Sequence, residues 1–279
     1  MMIDKTFAGK ICVVTGAASG IGRAVAQRLH QAGAVLALCD IDAQGLTETR
    51  AMLGEPVSNR VMTDCLDLAD ATAIAAYADH VAQTLGPADY VFNIAGLARV
   101  GTFDTTPLSS FETVMNVNFY GVVRMSKAFL GQLKQTRGGL VNVSSIFGII
   151  GYPGQAHYCA SKFAVRGFSE TLAQELDGTG VSVSCVHPGG VATNIARNAQ
   201  IDAMPAHGKS KDVMDADFDK VAITSADKAA DIILTGTAKR KRRIIVGGDA
   251  KMIQLISRLF PQSYARILRR LNPDSYEVL

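Results

Sequence analysis

The chain has 279 residues, 48% hydrophobic and 19% charged, enough for one large α/β domain with a buried core and too apolar for a disordered chain. No apolar run reaches the roughly 18–20 residues that span a bilayer, and residues 1–10 carry no signal-peptide pattern, so a cytoplasmic protein is expected. The net charge of +3 belongs to the tail, because residues 239–279 hold ten Lys/Arg against three Asp/Glu while the first 238 hold 18 against 22; with no reading motif beside this basic cluster, no nucleic-acid partner is expected.

Cysteines at 12, 39, 65, 159 and 185 are scattered and odd in number. They lack the paired spacing of a zinc site or a disulfide framework, so core thiols and no metal are expected.

The first expected strand, 10–15, runs straight into Thr15-Gly16-Ala17-Ala18-Ser19-Gly20-Ile21-Gly22 and a helix over 20–31. Gly16 permits a tight turn, Gly20 lets backbone approach a pyrophosphate, and Gly22 lets helix and strand pack closely. The N–H groups that open the helix, from Ser19 through Ile21 to Gly22, attract phosphate. The second strand, 34–39, ends at Asp40. A carboxylate there accepts hydrogen bonds from both hydroxyls of an adenosine ribose and repels a 2′-phosphate. The neighbouring Ser19 and Ile41 offer no cation to hold that phosphate, so NAD is expected in preference to NADP. The competing reading makes Asp40 a cap for the helix over 42–53.

A third strand, 60–65, leads to Asp67 and Leu68, which would meet adenine through the Asp67 side chain and the Leu68 backbone; capping of the helix over 70–85 explains Asp67 almost as well. The fourth strand, 88–93, ends in Asn93-Ile94-Ala95-Gly96, small residues that keep the backbone open beneath a bound ring. A helix over 109–135 and a fifth strand, 140–144, follow. Thirteen residues after Ser145, in a helix over 155–176, stand Tyr158 and Lys162, one turn apart on a shared face. An ammonium beside a phenol favours phenolate, lowering a pKa from roughly 10 toward the range of a general base. Ser145 supplies a hydroxyl to orient a substrate oxygen. Tyr-x-x-x-Lys is a common surface pair, and it gains weight from the glycine turn, Asp40, Asn93 and Ser145 at successive strand ends.

Strands at 181–187 and 243–246 complete seven, several of them apolar at consecutive positions, as strands covered on both faces require. With a helix over 226–237, the alternation predicts an α/β doubly wound, seven-stranded parallel sheet, the Rossmann fold, with helices on both faces and ligands beyond the carboxyl ends of the strands. Residues 1–250 are expected to form the dinucleotide-binding and catalytic domain. Its long segment at about 194–222, which contains Met204, Met214 and Phe218, reads as a substrate lid. Residues 251–279 read as a basic amphipathic C-terminal extension.

In the order and spacing of these motifs the chain resembles the short-chain dehydrogenase/reductase family over about residues 8–250. The resemblance implies that Asn118, in Asn116-Val117-Asn118-Phe119-Tyr120-Gly121, is a fourth catalytic residue holding a water between Lys162 and solvent. It also places His187-Pro188-Gly189-Gly190-Val191-Ala192-Thr193 beside a nicotinamide, with Pro188 and Gly189 fixing the turn and Val191 and Thr193 meeting the carboxamide. Cofactor-binding candidates are thus Gly16, Ser19, Gly20, Ile21, Gly22, Asp40, Ile41, Asp67, Leu68, Asn93, Ala95, Gly96, Tyr158, Lys162, Pro188, Gly189, Val191 and Thr193; catalytic candidates are Asn118, Ser145, Tyr158 and Lys162. One departure is Ile94, where the family usually has a second asparagine. Homodimers or homotetramers joined through helices flanking the site are implied as well.

Leu97, Val100, Phe103, Phe147, Ile149, Ile150, Tyr152, Met204 and Met214 are the expected substrate walls, some of them claimed equally by core packing. Being mostly apolar, they favour a neutral lipophilic secondary alcohol or ketone, with Arg99 and Arg197 the candidates for any carboxylate clamp. His157 reads as a packing or solvent-exposed residue. The tail repeats apolar residues from Met252 to Leu271 among Arg258, Arg266, Arg269 and Arg270, which suits packing on its own domain or a sister subunit, or peripheral contact with an anionic membrane. Against the NAD-dependent oxidoreductase stand a non-catalytic dinucleotide-binding regulator or scaffold and an NADP-dependent carbonyl reductase.

Overall fold

The computed structural model describes residues 2–54, 60–193, 195, 198–203, 212–213, 216 and 220–271. Arg197, Met204, Met214 and Phe218, and much of the expected lid, lie outside them. Seven strands, β1 (Ile11–Thr15), β2 (Val35–Asp40), β3 (Val61–Cys65), β4 (Tyr90–Asn93), β5 (Gly139–Val143), β6 (Ser182–Pro188) and β7 (Arg243–Val246), form one sheet in the order β3-β2-β1-β4-β5-β6-β7. Every pairing is parallel, as expected for the doubly wound fold. The chain builds outward from β1 to β3, then returns to the other side of β1 with β4. That reversal opens a crevice beyond Thr15 and Asn93, where ligands of this architecture sit.

Helices α1 (Met2–Phe7), α2 (Gly20–Gln31), α3 (Ala43–Met52), α4 (Ala71–Thr84), α5 (Leu108–Met115), α6 (Gly121–Thr136), α7 (Ala156–Glu175) and α8 (Ala226–Ala238) surround the sheet. Val25, Leu29, Ile233 and Leu234 bring α2 and α8 onto one face; Ile74, Val81, Met125, Phe129 and Leu133 bring α4 and α6 onto the other. Helix α1 has too few residues to show periodicity. It is held by Phe7, which is fully buried with its ring centroid 4.9 Å from that of Tyr90, a burial that contributes about 1.5–3 kcal/mol.

Two sequence expectations change. The single helix over 109–135 is α5 and α6 joined by a π turn at Asn116–Tyr120, the rare i→i+5 geometry that inserts one residue into a helix and concentrates at functional sites. The segment expected to be a lid begins with regular pairing: Gln200–Ala203 pairs in parallel with Arg99–Gly101 as a separate two-stranded ribbon, and beyond it Thr224–Ser225 pairs with Val191–Ala192. At the end of the described chain, α9 (Gly248–Leu259) and α10 (Tyr264–Leu271) fold back on the body. Ala250 and Leu268 join Ile146 and Ile150 in a small core, and the Gly151 N–H donates to the Tyr264 hydroxyl at 3.0 Å. Ile150, expected to line a substrate pocket, is therefore 1% exposed beneath these helices. None of the described helices is long and apolar enough to cross a membrane.

Candidate active site

The glycine turn between β1 and α2 is built by close approach. Gly16 has φ +71°, and a Cβ there would meet the Ala95 backbone at 2.8 Å; a Cβ on Gly22 would lie 2.0 Å from the Gly16 carbonyl oxygen. Both positions exclude a side chain. Gly20, with φ +52°, faces Thr193 across the crevice, so the turn and the 188–193 segment border the same space. Asp42, Asp70 and Ser225 cap α3, α4 and α8 through their side chains. Ser19, at the start of α2, makes no such bond, which leaves the first N–H groups of α2 facing the crevice for an anion.

Asp40 does not cap α3. Its carboxylate accepts from the Ala18 N–H at 3.0 Å and the Asp42 N–H at 3.1 Å, tying the end of β2 to the glycine turn. Arg23, in the first turn of α2, is engaged by the Ala18 and Gly45 carbonyls, Thr49 and Glu48. Ile41 is exposed. Asp67, also exposed, accepts from the Ala69 N–H, while Leu68 is buried and its carbonyl accepts from Arg124. At the end of β4, the Ile94 and Ala95 N–H groups donate to the Thr15 hydroxyl at 3.0 and 3.1 Å, so Ile94 keeps its place without an asparagine side chain. Buried Asn93 donates to Asn142, while its own amide oxygen has no hydrogen-bond partner among the described residues. The excluded side chains, the uncapped helix start and this orphaned oxygen together suit a dinucleotide.

Ser145, Tyr158 and Lys162 converge. Ser145 leaves β5 and accepts from the Phe147 N–H at 3.1 Å. Tyr158 and Lys162 lie in the first turns of α7, both buried, and the Lys162 ammonium sits 5.6 Å from the Tyr158 ring centroid while donating to the Val143 carbonyl at 3.1 Å. The expectation of a lowered phenol pKa is corrected. Burial pushes Tyr158 up to about 12, with a hydrogen bond from Ser145 pulling the other way, and burial brings Lys162 down to about 8. Desolvation penalises both charged forms more than the neighbouring groups favour them. Phe147 packs edge-on to Tyr158 and stacks on Tyr152 at 4.7 Å.

Asn118 lies in the π turn, fully buried. Its amide exchanges hydrogen bonds with the Leu97 N–H and carbonyl, both 2.9 Å, and donates to Ser161. Gly96 separates it from Lys162: a Cβ there would meet Asn118 Oδ1 at 3.1 Å and Lys162 Nζ at 3.3 Å. Behind Ser145, fully buried His187 donates from Nδ1 to the Ser145 carbonyl at 3.0 Å, and burial holds its pKa down to about 4. Asp249, from the start of α9, accepts from the Gly190 N–H at 2.7 Å and so supports the Pro188–Gly190 turn leading to Val191 and Thr193. Asp249 and the structural use of His187 went unread in the sequence. Arg99 was a candidate carboxylate clamp; its guanidinium is taken by Asp202, Ser110 and Gln200.

A short chain dehydrogenase family profile matches residues 10–203. The chain belongs to this family. Among its relatives, a Mycobacterium tuberculosis protein named as the oxidoreductase SadH is 42% identical over 267 residues, 94% of this chain and 95% of that protein. A short chain dehydrogenase/reductase from Burkholderia phymatum, solved in complex with NAD, superposes with a TM-score of 0.82 at 26% identity over 91% of this chain and 94% of its own. An alcohol dehydrogenase from Thermococcus sibiricus complexed with 5-hydroxy-NADP gives 0.71 at 25% identity over 85% and 95%. One dehydrogenase solved with NAD and another solved with 5-hydroxy-NADP thus both share this fold.

Proposed function

We propose that this short-chain dehydrogenase is an NAD(H)-dependent enzyme that interconverts a lipophilic secondary alcohol and its ketone, with Tyr158 as general acid/base. The observation that carries the reading is the buried Ser145–Tyr158–Lys162 cluster, with Lys162 beside Gly96 at the end of the same segment that the glycine turn packs against at Ala95. Gly16, Ser19, Gly20, Ile21 and Gly22 would hold the pyrophosphate, Asp40 and Ile41 the ribose, Asp67 and Leu68 the adenine. Asn93, Ala95, Gly96, Pro188, Gly189, Val191 and Thr193 would surround the nicotinamide, which when bound supplies the hydride acceptor or donor. The Ser145 hydroxyl orients the substrate oxygen, Tyr158 takes its proton, and the Lys162 ammonium opposes the phenol's burial penalty as negative charge develops. Asn118 is the candidate for the water that joins Lys162 to solvent. The reading of NAD over NADP is supported by the Asp40 carboxylate at the end of β2, which would repel a 2′-phosphate, and by Arg23 being already engaged.

The partners follow the same reading. The inner faces of α9 and α10 pack on the body, and their outer face presents Met252, Leu255, Leu259 and Phe260 among Arg258, Arg266, Arg269 and Arg270. Residues 250–271 contain no carboxylate. This face suits peripheral contact with an anionic membrane. Exposed Tyr120 and Phe163 at the α6–α7 surface suit a homodimer or homotetramer.

A panel of steroid, retinoid, aliphatic and aromatic secondary alcohols with NAD tests the reading. At least one apolar alcohol should yield NADH, and Tyr158→Phe should abolish that turnover while the NADH Kd stays within about twofold. Undiminished turnover in the variant would sink the mechanism, and NADH binding without turnover of any alcohol or ketone would favour the scaffold.

A further inference from the structure

The ribbon formed by Arg99–Gly101 and Gln200–Ala203 joins segments a hundred residues apart, outside the main sheet. So short a parallel pair has little stability of its own, and a buried charge cluster fastens it. The Asp202 side chain is 5% exposed. Its Oδ1 accepts from the Ser110 hydroxyl of α5 at 2.8 Å and from the Arg99 guanidinium, which also reaches Gln200. Its Oδ2 faces His157 Nε2 at 3.5 Å. Among the described residues, neither Oδ2 nor Nε2 has a hydrogen-bond partner of its own.

His157 is 1% exposed in the first turn of α7, immediately before Tyr158. Its Nδ1 accepts the Tyr158 N–H at 2.9 Å, and the Phe111 ring of α5 lies 5.3 Å from the imidazole. An acceptor Nδ1 places the proton of a neutral imidazole on Nε2, where the Asp202 carboxylate can receive it.

We propose that Asp202 is a positioning residue for Tyr158: its carboxylate selects the Nε2–H tautomer of His157, which frees Nδ1 to hold the Tyr158 N–H, so that the ribbon and the first turn of α7 are fixed as one unit. The proposal rests on the reading of Tyr158 as the proton-transfer group. The charged groups facing His157 are Asp202 on one strand of the ribbon and Arg99 on the other; burial and Arg99 lower its pKa below 6.5 while Asp202 and the Gln155 backbone raise it. The imidazole is therefore neutral at neutral pH. Protonating Nδ1 in acid would replace an acceptor with a second donor opposite the Tyr158 N–H.

Two arms test this in the full chain with NAD bound. In two-bond 1H–15N spectra of histidine-labelled protein, the His157 signals, assigned by their loss in His157→Gln, should show Nε2–H with an acid midpoint below 6.5. In Asp202→Ala that midpoint should move lower still, because the carboxylate that raised it is gone. With an alcohol found in the panel, Asp202→Ala and His157→Gln should each lower kcat by about tenfold, and the double variant should be no slower than the slower single one, since both remove one link. An Nδ1–H tautomer in the wild-type protein, multiplicative losses in the double variant, or full activity in Asp202→Ala would overturn the proposal. If no alcohol is turned over, the spectra still decide it; if Asp202→Ala does not fold, Asp202→Asn replaces it in both arms.

Discussion

Lys162 shows what a buried ammonium costs the fold. Its ammonium is buried, donates to the Val143 carbonyl, and has its pKa lowered from 10.5 to about 8 by burial. Between those values the unfolded chain binds the proton and the folded chain does not, so stability rises as pH rises from 8 toward 10.5. At pH 7, where both forms are charged, the shift corresponds to a penalty of about 3 kcal/mol. Lys162→Met removes the titrating group at the expense of one hydrogen bond worth about 1 kcal/mol. Thermal unfolding of the variant should show a Tm at pH 7 no lower than wild type and a flatter rise above pH 8, with turnover lost. A clearly lower Tm at pH 7 would mean the ammonium is held by more than it costs. That Tyr158 and Lys162 lie one turn apart in the same helix was legible because their spacing is local, whereas the direction of the Tyr158 shift was not. A sequence displays the neighbouring ammonium but hides the depth of burial that outweighs it. Asp202, Asp249 and the structural bond of His187 escaped for a related reason: their partners stand 45, 59 and 42 residues away, and no periodicity marks such pairs.

Elements with an apolar repeat were readable to within a residue or two, as in the strand expected over 60–65 and found at Val61–Cys65. What escaped was short or polar. Helix α1 spans less than two turns; the ribbon is built on Arg99, Gln200 and Asp202, whose polarity reads as loop; the π turn leaves the 108–136 pattern helical on either side. The unit formed by β1, the glycine turn and the end of β2 carries the cofactor prediction. Asp40→Asn keeps an acceptor for a turn N–H but removes the charge, so the preference for NADH over NADPH should narrow by about tenfold, about 1.4 kcal/mol, in fluorescence titrations of both. A wild-type protein that already binds NADPH more tightly would show that the carboxylate does not select.

At the scale of the whole molecule, the doubly wound sheet was legible from strand and helix alternation, while the seating of the last two helices needed coordinates. Their inner residues, Ala250 and Leu268, look like any other members of an amphipathic repeat until Ile146 and Ile150 are found beneath them. The outer arginines carry a prediction of their own. Each cation near an anionic lipid surface contributes about 1 kcal/mol, so reversing Arg266, Arg269 and Arg270 to Glu should abolish co-sedimentation with phosphatidylserine vesicles at low salt and leave folding intact. Wild-type protein that stays in the supernatant would dismiss the membrane contact. The same helices reach the crevice from behind. Asp249 opens α9, yet its carboxylate is committed to a peptide unit 59 residues upstream, at Gly190. A chain cut before position 249 would thus lose more than a surface appendage: the turn at 188–190 would give up its backing, and damage at the far end of the polypeptide would register in the grip on the nucleotide.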